Sequence, residues 1–420
     1  MLRYVKLFYR IRQILRRPHL KITGIVAEYN PFHTGHAYQI AQTRKLLKEE
    51  TGVVAVMSGN WVQQADSAIL DKWTRARLAL MGGADLVLEL PTVWATASAE
   101  GFARGAVTLL HQTGVVDYLS FGSEDGRIEP LKRAADTLDT PEFQKSLTTY
   151  LEQGLSFPSA RQKAVCDLLG EGAEPLSTPN NNLGIEYLRS LNALHSTITP
   201  LTILRKGAAH NAISSDAPEF VSATHIRTHL KSGRGEDISS YLPQGSRSPV
   251  FQESVQFSSL KLAERAILAR IRGMTAEDWT LLPDSGAAEG LCQRLEKAGR
   301  QCTGVEHFLD LVKTKRYTHA RLRRLVLWAY LGLTADQIPS TPPYLRVLGF
   351  NRTGQEILRA MKTSAALPLI TKPAHARTLS QPGRTLFQLE SRFTDLYDLC
   401  LPDIPAPGRE WTTNPVLLLD

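Results

Sequence analysis

Cysteine is scarce in this 420-residue chain. The four present, Cys166, Cys292, Cys302 and Cys400, are scattered, and no two form a CxxC pair. That spacing argues against a zinc site and a disulfide framework, and fits a reducing compartment such as the cytoplasm. No apolar run approaches the ~20 residues needed to cross a bilayer, so no membrane partner is expected. Repeats and biased tracts are lacking too, which leaves an ordinary globular composition. Acidic residues are missing altogether from the first twenty positions, "MLRYVKLFYRIRQILRRPHL". An organelle transit peptide, a basic amphipathic extension or a start codon set too far upstream would each give this pattern, so residues 1–20 are set apart from the fold.

What is present begins with length. A chain of 420 residues exceeds what one core usually covers, so two domains are expected. From Lys21 onward, short apolar runs alternate with helical patterns. "ITGIVAEY", "GVVAVMSG", "ADLVLELP" and "VDYLSFGS" recur about every 30 residues, and "ITPLTILR" adds a further strand. This is the βαβ rhythm of a parallel sheet covered on both faces, an α/β, Rossmann-like core. Ligands bind such sheets beyond the carboxyl ends of the strands. "EYNPFHTGH", "MSGNWVQ", "ELPTVW" and "FGSED" all fall there. Near "YLPQGSRSPVF" the composition changes to a linker, and helical periodicity follows. The expected division is a nucleotide domain over 21–245, a mainly α-helical domain over 255–400 and an irregular tail over 401–420.

Within "EYNPFHTGH", His33 and His36 flank Gly35 where a strand hands over to a helix. Backbone N–H groups, a glycine permitting close approach and a helix N-terminus suit a phosphate. The imidazoles supply donors that follow developing charge. An isolated HxGH can equally be a polar turn. A second stretch, "VSATHIRTHL", has the S-x-T-x-I-R pattern that closes the nucleotide pocket in HxGH nucleotidyltransferases. There Ser222 and Thr224 can cap a helix and bond phosphate, and Arg227 can reach the outer phosphates. The simpler alternative is an N-cap followed by a surface arginine. In "KTKRYTHARLRR", Lys313, Lys315, Arg316, Arg321, Arg323 and Arg324 stand without one acid. That is either a solvated helix face or a phosphate-binding surface with Tyr317 free to stack on a base.

Taken in order, "GIVAEYNPFHTGH", "VAVMSGNWVQ", "DKWTRARLAL", "ADLVLELP", "FGSE", "PNNNLGIEYLRSL", "ILRKGAAHN" and "KTKRYTHARLRR" resemble the bacterial tRNA(Met) cytidine acetate ligase family over roughly residues 21 to 360. The resemblance implies adenylation of acetate by ATP, with Mg²⁺ on the phosphates. Acetyl transfer to N4 of the wobble cytidine of elongator tRNA(Met) follows. It implies no obligate protein partner and no resident metal. It places ATP against Val26, Ala27, Glu28, Tyr29, Asn30, Pro31, Phe32, His33, Thr34, Gly35, His36, Ala37, Tyr38 and Gln39. Gly122, Asn180, Arg205, Ser222, Thr224 and Arg227 complete that set. His33 and His36 are the expected catalytic residues, and Glu28, Asp71 and Lys72 are candidates for orienting metal or acetate. Binding of tRNA falls to Lys313, Lys315, Arg316, Tyr317, Arg321 and Arg324.

Two departures stand out. The family tends to carry a Gln-Arg-Gly-Glu-Pro-like stretch where this chain reads "QADSA" at 64–68, and "GAAHN" replaces a "GAGYH"-like segment around His210. Other readings are a small-molecule adenylyltransferase with the same core or a non-catalytic RNA-binding protein. A class I aminoacyl-tRNA synthetase relative would need a KMSKS-like stretch, which is lacking.

Overall fold

The computed structural model describes residues 20–48, 50–205, 220–252, 254–286, 290–314 and 317–419. The basic N-terminal stretch and His210 lie outside them. Strands β1 (Lys21–Ala27), β2 (Thr51–Ser58), β5 (Leu86–Leu90), β6 (Tyr118–Ser123) and β7 (Thr199–Leu204) form the parallel core expected from the sequence. Between β2 and β5, β3 (Trp61–Val62) and β4 (Asp66–Ser67) make a separate short hairpin. With β8 (Leu345–Asn351) and β10 (Val416–Leu418) at one edge, the sheet order is β10-β8-β5-β2-β1-β6-β7. From β1 the chain moves outward through β2 to β5, then returns to the other side of β1 for β6 and β7. The order therefore reverses between β1 and β6, the place where an open α/β sheet forms its crevice.

Strand β2 shows why this sheet is covered on both sides. All eight of its residues are buried. Val54 and Val56 enter one apolar cluster, whereas Val53, Ala55 and Met57 enter the other. The period of two sends alternate side chains to opposite faces, and both faces meet helices. Those helices include α1 (Thr34–Leu47), α2 (Lys72–Met81), α3 (Ala99–Gln112) and α4 (Pro179–Ala193).

The C-terminal half is mainly helical, but the sheet does not stop at residue 245. β8 (Leu345–Asn351) pairs antiparallel with β5, β9 (Leu369–Ile370) pairs with β8, and β10 (Val416–Leu418) completes that edge. The tail expected to be irregular thus delivers a strand, and a short helix at Arg409–Thr412. One apolar cluster runs from Ile22 to Leu401 across both halves. Trp61 Nε1 donates to the Phe393 carbonyl at 3.0 Å, and Tyr397 hydroxyl donates to the Ala68 carbonyl at 2.9 Å. These bonds tie the β3–β4 hairpin to the Gln381–Asp398 helix.

Buried charge accompanies this junction. Lys72, at the start of α2, lies 2.6 Å from both Glu89 of β5 and Glu410. Arg346 of β8 pairs with Glu410 at 2.9 Å. Glu390 accepts from the Thr92 N–H and hydroxyl, each at 2.7 Å. Two cations against three carboxylates leave one negative charge too many. Burial, reinforced by Glu89, pushes the Glu390 carboxyl up to about 8, so it keeps a proton at neutral pH.

Candidate functional site

The HxGH segment folds as a helix cap made of its own histidines. His33 is the N-cap of α1, and its Nδ1 accepts the Gly35 N–H at 3.1 Å. His36 reaches back, and its Nδ1 accepts the His33 N–H at 3.2 Å. The two rings stack with centroids 3.7 Å apart. A Cβ on Gly35 would stand 2.9 Å from His33 Cε1, so glycine is what lets the ring fold over that N–H. With both Nδ1 atoms accepting, each neutral ring must carry its proton on Nε2. The pair is thus held as two Nε2–H donors. Burial, with Arg205 and Arg227 adding to it, pushes His33 down to about 3. Burial, His33 and Arg205 hold His36 well below the usual histidine range.

A cavity of about 270 Å³ opens at the β1–β6 reversal. Val26, Ala27, Glu28, His33, Gly35, His36, Tyr38, Gln39, Gly122, Asn180, Arg205, Ser222, Thr224 and Arg227 all line it. Three helix N-termini converge there: α1 at His33, α4 near Asn180, and α5 (Ala223–Lys231), capped by Ser222 Oγ accepting the His225 N–H. N-termini carry partial positive charge, so the cavity is suited to an anion. Arg227 is aimed by two acceptors, the Asn30 carbonyl at 2.9 Å and Thr224 Oγ1 at 3.0 Å. Gly122 leaves room for Arg205, whose Cγ would come within 3.0 Å of a Cβ there.

Some expected residues act at one remove. Tyr29, Asn30, Pro31, Phe32, Thr34 and Ala37 do not line the cavity. Asn30 is buried, and its Oδ1 accepts the Ile69 N–H at 2.7 Å. Tyr29 and Phe32 pack behind the histidines, with Tyr29 edge-on to His36 at 4.8 Å. Asn180 lies on the wall, but its Nδ2 donates to Glu124 at 2.7 Å, so its side chain offers chiefly an acceptor. Lys72 and Asp71 are removed from the site. Lys72 is consumed by its buried carboxylates, and Asp71 caps α2 and pairs with Arg409 at 2.8 Å. Of the three candidates for metal or acetate only Glu28 faces the cavity, accepting the Gln63 N–H at 2.8 Å. Among the described residues no group of three or more His, Cys, Asp or Glu side chains could hold a metal ion.

The basic segment is reorganised more deeply. Tyr317 is 7% exposed within the apolar core, which removes it as a stacking platform. Arg321 and Arg324 bond Asp284, at 3.1 Å to its carbonyl and 3.0 Å to its carboxylate. Lys313 is exposed, and Lys315 and Arg316 lie outside the described residues. Arg323, on α6 (His319–Leu331), faces a second cavity instead. Gln64, from the divergent "QADSA" stretch, lines the first cavity, and so do Gln63, Phe102, Tyr187 and Phe220, none of them an expected site residue. Gln63 sits at the end of the quoted "MSGNWVQ" and was within reach. Phe102 and Tyr187 read as helix core and carried no local signal.

Comparison with known proteins agrees with this geometry. The profile of the HIGH Nucleotidyl Transferase family matches residues 20–409. A tRNA(Met) cytidine acetate ligase of Caldanaerobacter subterraneus is 37% identical over 398 residues, covering 90% of this chain and 95% of the relative. One from Clostridium novyi is 37% identical over 419 residues, covering 95% and 100%. The crystal structure of Thermotoga maritima TmcAL in its apo form matches with a TM-score of 0.89 at 34% identity, over 96% of this chain and 100% of that one. The same protein bound with alpha-thio ATP matches with a TM-score of 0.87 and the same coverage. With this likeness running the length of the chain, it belongs to the tRNA(Met) cytidine acetate ligases, within the HIGH nucleotidyltransferases.

Proposed function

We propose that this chain is an ATP-dependent acetate ligase that forms acetyladenylate and acetylates N4 of the wobble cytidine of elongator tRNA(Met). The observation carrying this reading is the convergence of two fixed Nε2–H donors, two arginines and three helix N-termini on one cavity. The acetate carboxylate attacks the α-phosphate of ATP, a P–O bond forms, and pyrophosphate leaves. His33 and His36 donate to the α-phosphate as its charge redistributes, while Arg205 and Arg227 neutralise the departing pyrophosphate. Both imidazoles are neutral at pH 7, so they act as hydrogen-bond donors and not as acids. Transfer then joins the cytidine amine to the acyl carbon. The carbon–oxygen bond to AMP breaks, AMP leaves with the electron pair, and the amine proton passes to solvent.

Mg²⁺ fits the site as a companion of the phosphates, because among the described residues Glu28 is the one carboxylate that faces the cavity. Its chemistry when bound is to balance phosphate charge, with Glu28 the wall residue that would hold it. The relatives' name and the bound alpha-thio ATP in the Thermotoga protein support the choice of substrates. Incubation with ATP, labelled acetate and total tRNA, followed by digestion to nucleosides, tests the proposal. Label in N4-acetylcytidine is the expected result. Label absent from cytidine, or dependent on acetyl-coenzyme A, would overturn it.

A further inference from the structure

A second cavity, of about 380 Å³, shares a wall with the first. Two elements line both. At the tip of the β3–β4 hairpin, Gln63 and Gln64 face the first cavity, while Gln64 and Asp66 face the second. On α5, Arg227 faces the first, and Lys231, one turn further on, faces the second. The floor is apolar, formed by Ile267, Leu309 and Val326, each almost fully buried. Arg323 stands on the rim, 3.8 Å from Glu306. Asp66 accepts the Ser67 N–H at Oδ1 (2.8 Å), and no hydrogen bond from a described residue reaches its Oδ2.

We propose that this second cavity receives the acceptor nucleotide, and that Asp66 reads the exocyclic amine of its cytosine. The inference rests on the acetate ligase reading above. An amine can be acylated only if its base leaves the stack and enters a pocket beside the adenylate. Gln64 lines both cavities, so this one adjoins the first. Its volume suits one nucleoside, and its apolar floor gives the base a face to lie on. Lys231 and Arg323 on the rim suit the flanking phosphates. A carboxylate accepts from the cytosine N4 amine but faces the O4 acceptor of uracil without a proton to share, so Asp66 selects between the pyrimidines. Gln64 can serve the N3 and O2 edge with its amide. Gln64 and Asp66 also fall in the "QADSA" stretch where this chain departs from the family's usual residues.

The test separates the two half-reactions. Asp66→Asn keeps the acceptor for the Ser67 N–H and replaces the other oxygen by a donor. It should lower kcat for cytidine acetylation about tenfold or more, while acetate-dependent ATP–pyrophosphate exchange stays at the wild-type rate. Lys231→Glu with Arg323→Glu should raise KM for tRNA and flatten its salt dependence, again without change in exchange. Variants that acetylate tRNA as fast as wild type, or that lose exchange in parallel with transfer, would overturn the assignment. Failure of the wild-type protein itself to acetylate cytidine would instead overturn the reading beneath it.

Discussion

At the scale of single residues, the HxGH motif is a piece of geometry before it is a catalyst. Gly35 is fixed by the His33 ring lying across its N–H, and His36 is fixed by the N–H it accepts. Gly35→Ala should therefore push the His33 ring off its cap and misplace both Nε2–H donors. We expect about a hundredfold loss in adenylate formation with an unchanged circular dichroism spectrum. The histidines also mark stability. Their pKa values are lower in the folded chain than the ~6.5 of an unfolded one, so the unfolded state binds more protons below that pH. Their contribution is complete above ~6.5 and is lost as pH falls toward the His33 value of about 3. His33→Asn retains a capping side chain and removes one titration. Urea denaturation between pH 4 and 6.5 should show a shallower loss of stability, by at most ~1.4 kcal/mol per pH unit. The motif itself could be read from the sequence because its partners lie within three residues. Asp284, which captures Arg321 and Arg324, is some forty residues away and gave no warning.

At the scale of elements, periodicity identified β1, β2, β5, β6 and β7 because each is a short apolar run at a strand-and-helix spacing. The same logic missed β8 and β10. β8 stands among helical patterns and β10 in the tail expected to be irregular, and what makes them strands is pairing with β5 and with each other. Their pairing needs a buried anchor, and Lys72 supplies it from the first turn of α2. Glu89 is an acid in the middle of a fully buried strand, tolerable only because the Lys72 ammonium meets it at 2.6 Å. Lys72→Met should leave Glu89 and Glu410 facing only Arg346. We expect a loss of about 3–5 kcal/mol, measured by equilibrium unfolding in urea. The expectation that Lys72 and Asp71 orient a substrate failed for the same reason. Sequence shows that a lysine begins a helix, and only the fold shows the acids that arrive from residues 89 and 410.

At the scale of the whole molecule, the ligand cavity belongs to the parallel core, whereas its neighbour is walled by both halves of the chain. Activity that uses both cavities depends on the halves staying joined. Glu390 sits in that joint and gives it a pH dependence. Its folded pKa of about 8 lies above the ~4.5 of an unfolded carboxyl, so the folded state holds more protons between those values. Its contribution should decline as pH rises from ~5 to ~8, and above ~6.5, where His33 and His36 are neutral in both states, Glu390→Gln should abolish most of the slope in unfolding measured at pH 7 and pH 8. The joint also sets an order of events during synthesis. Every described residue that lines the first cavity has been made by Arg227, whereas Glu410, the shared partner of Lys72 and Arg346, comes much later. A nascent chain stalled short of that glutamate carries all the described walls of the cavity on an unfinished sheet. Premature termination ahead of Glu410 is therefore expected to destabilise the fold, although it removes none of the described residues that line the cavity.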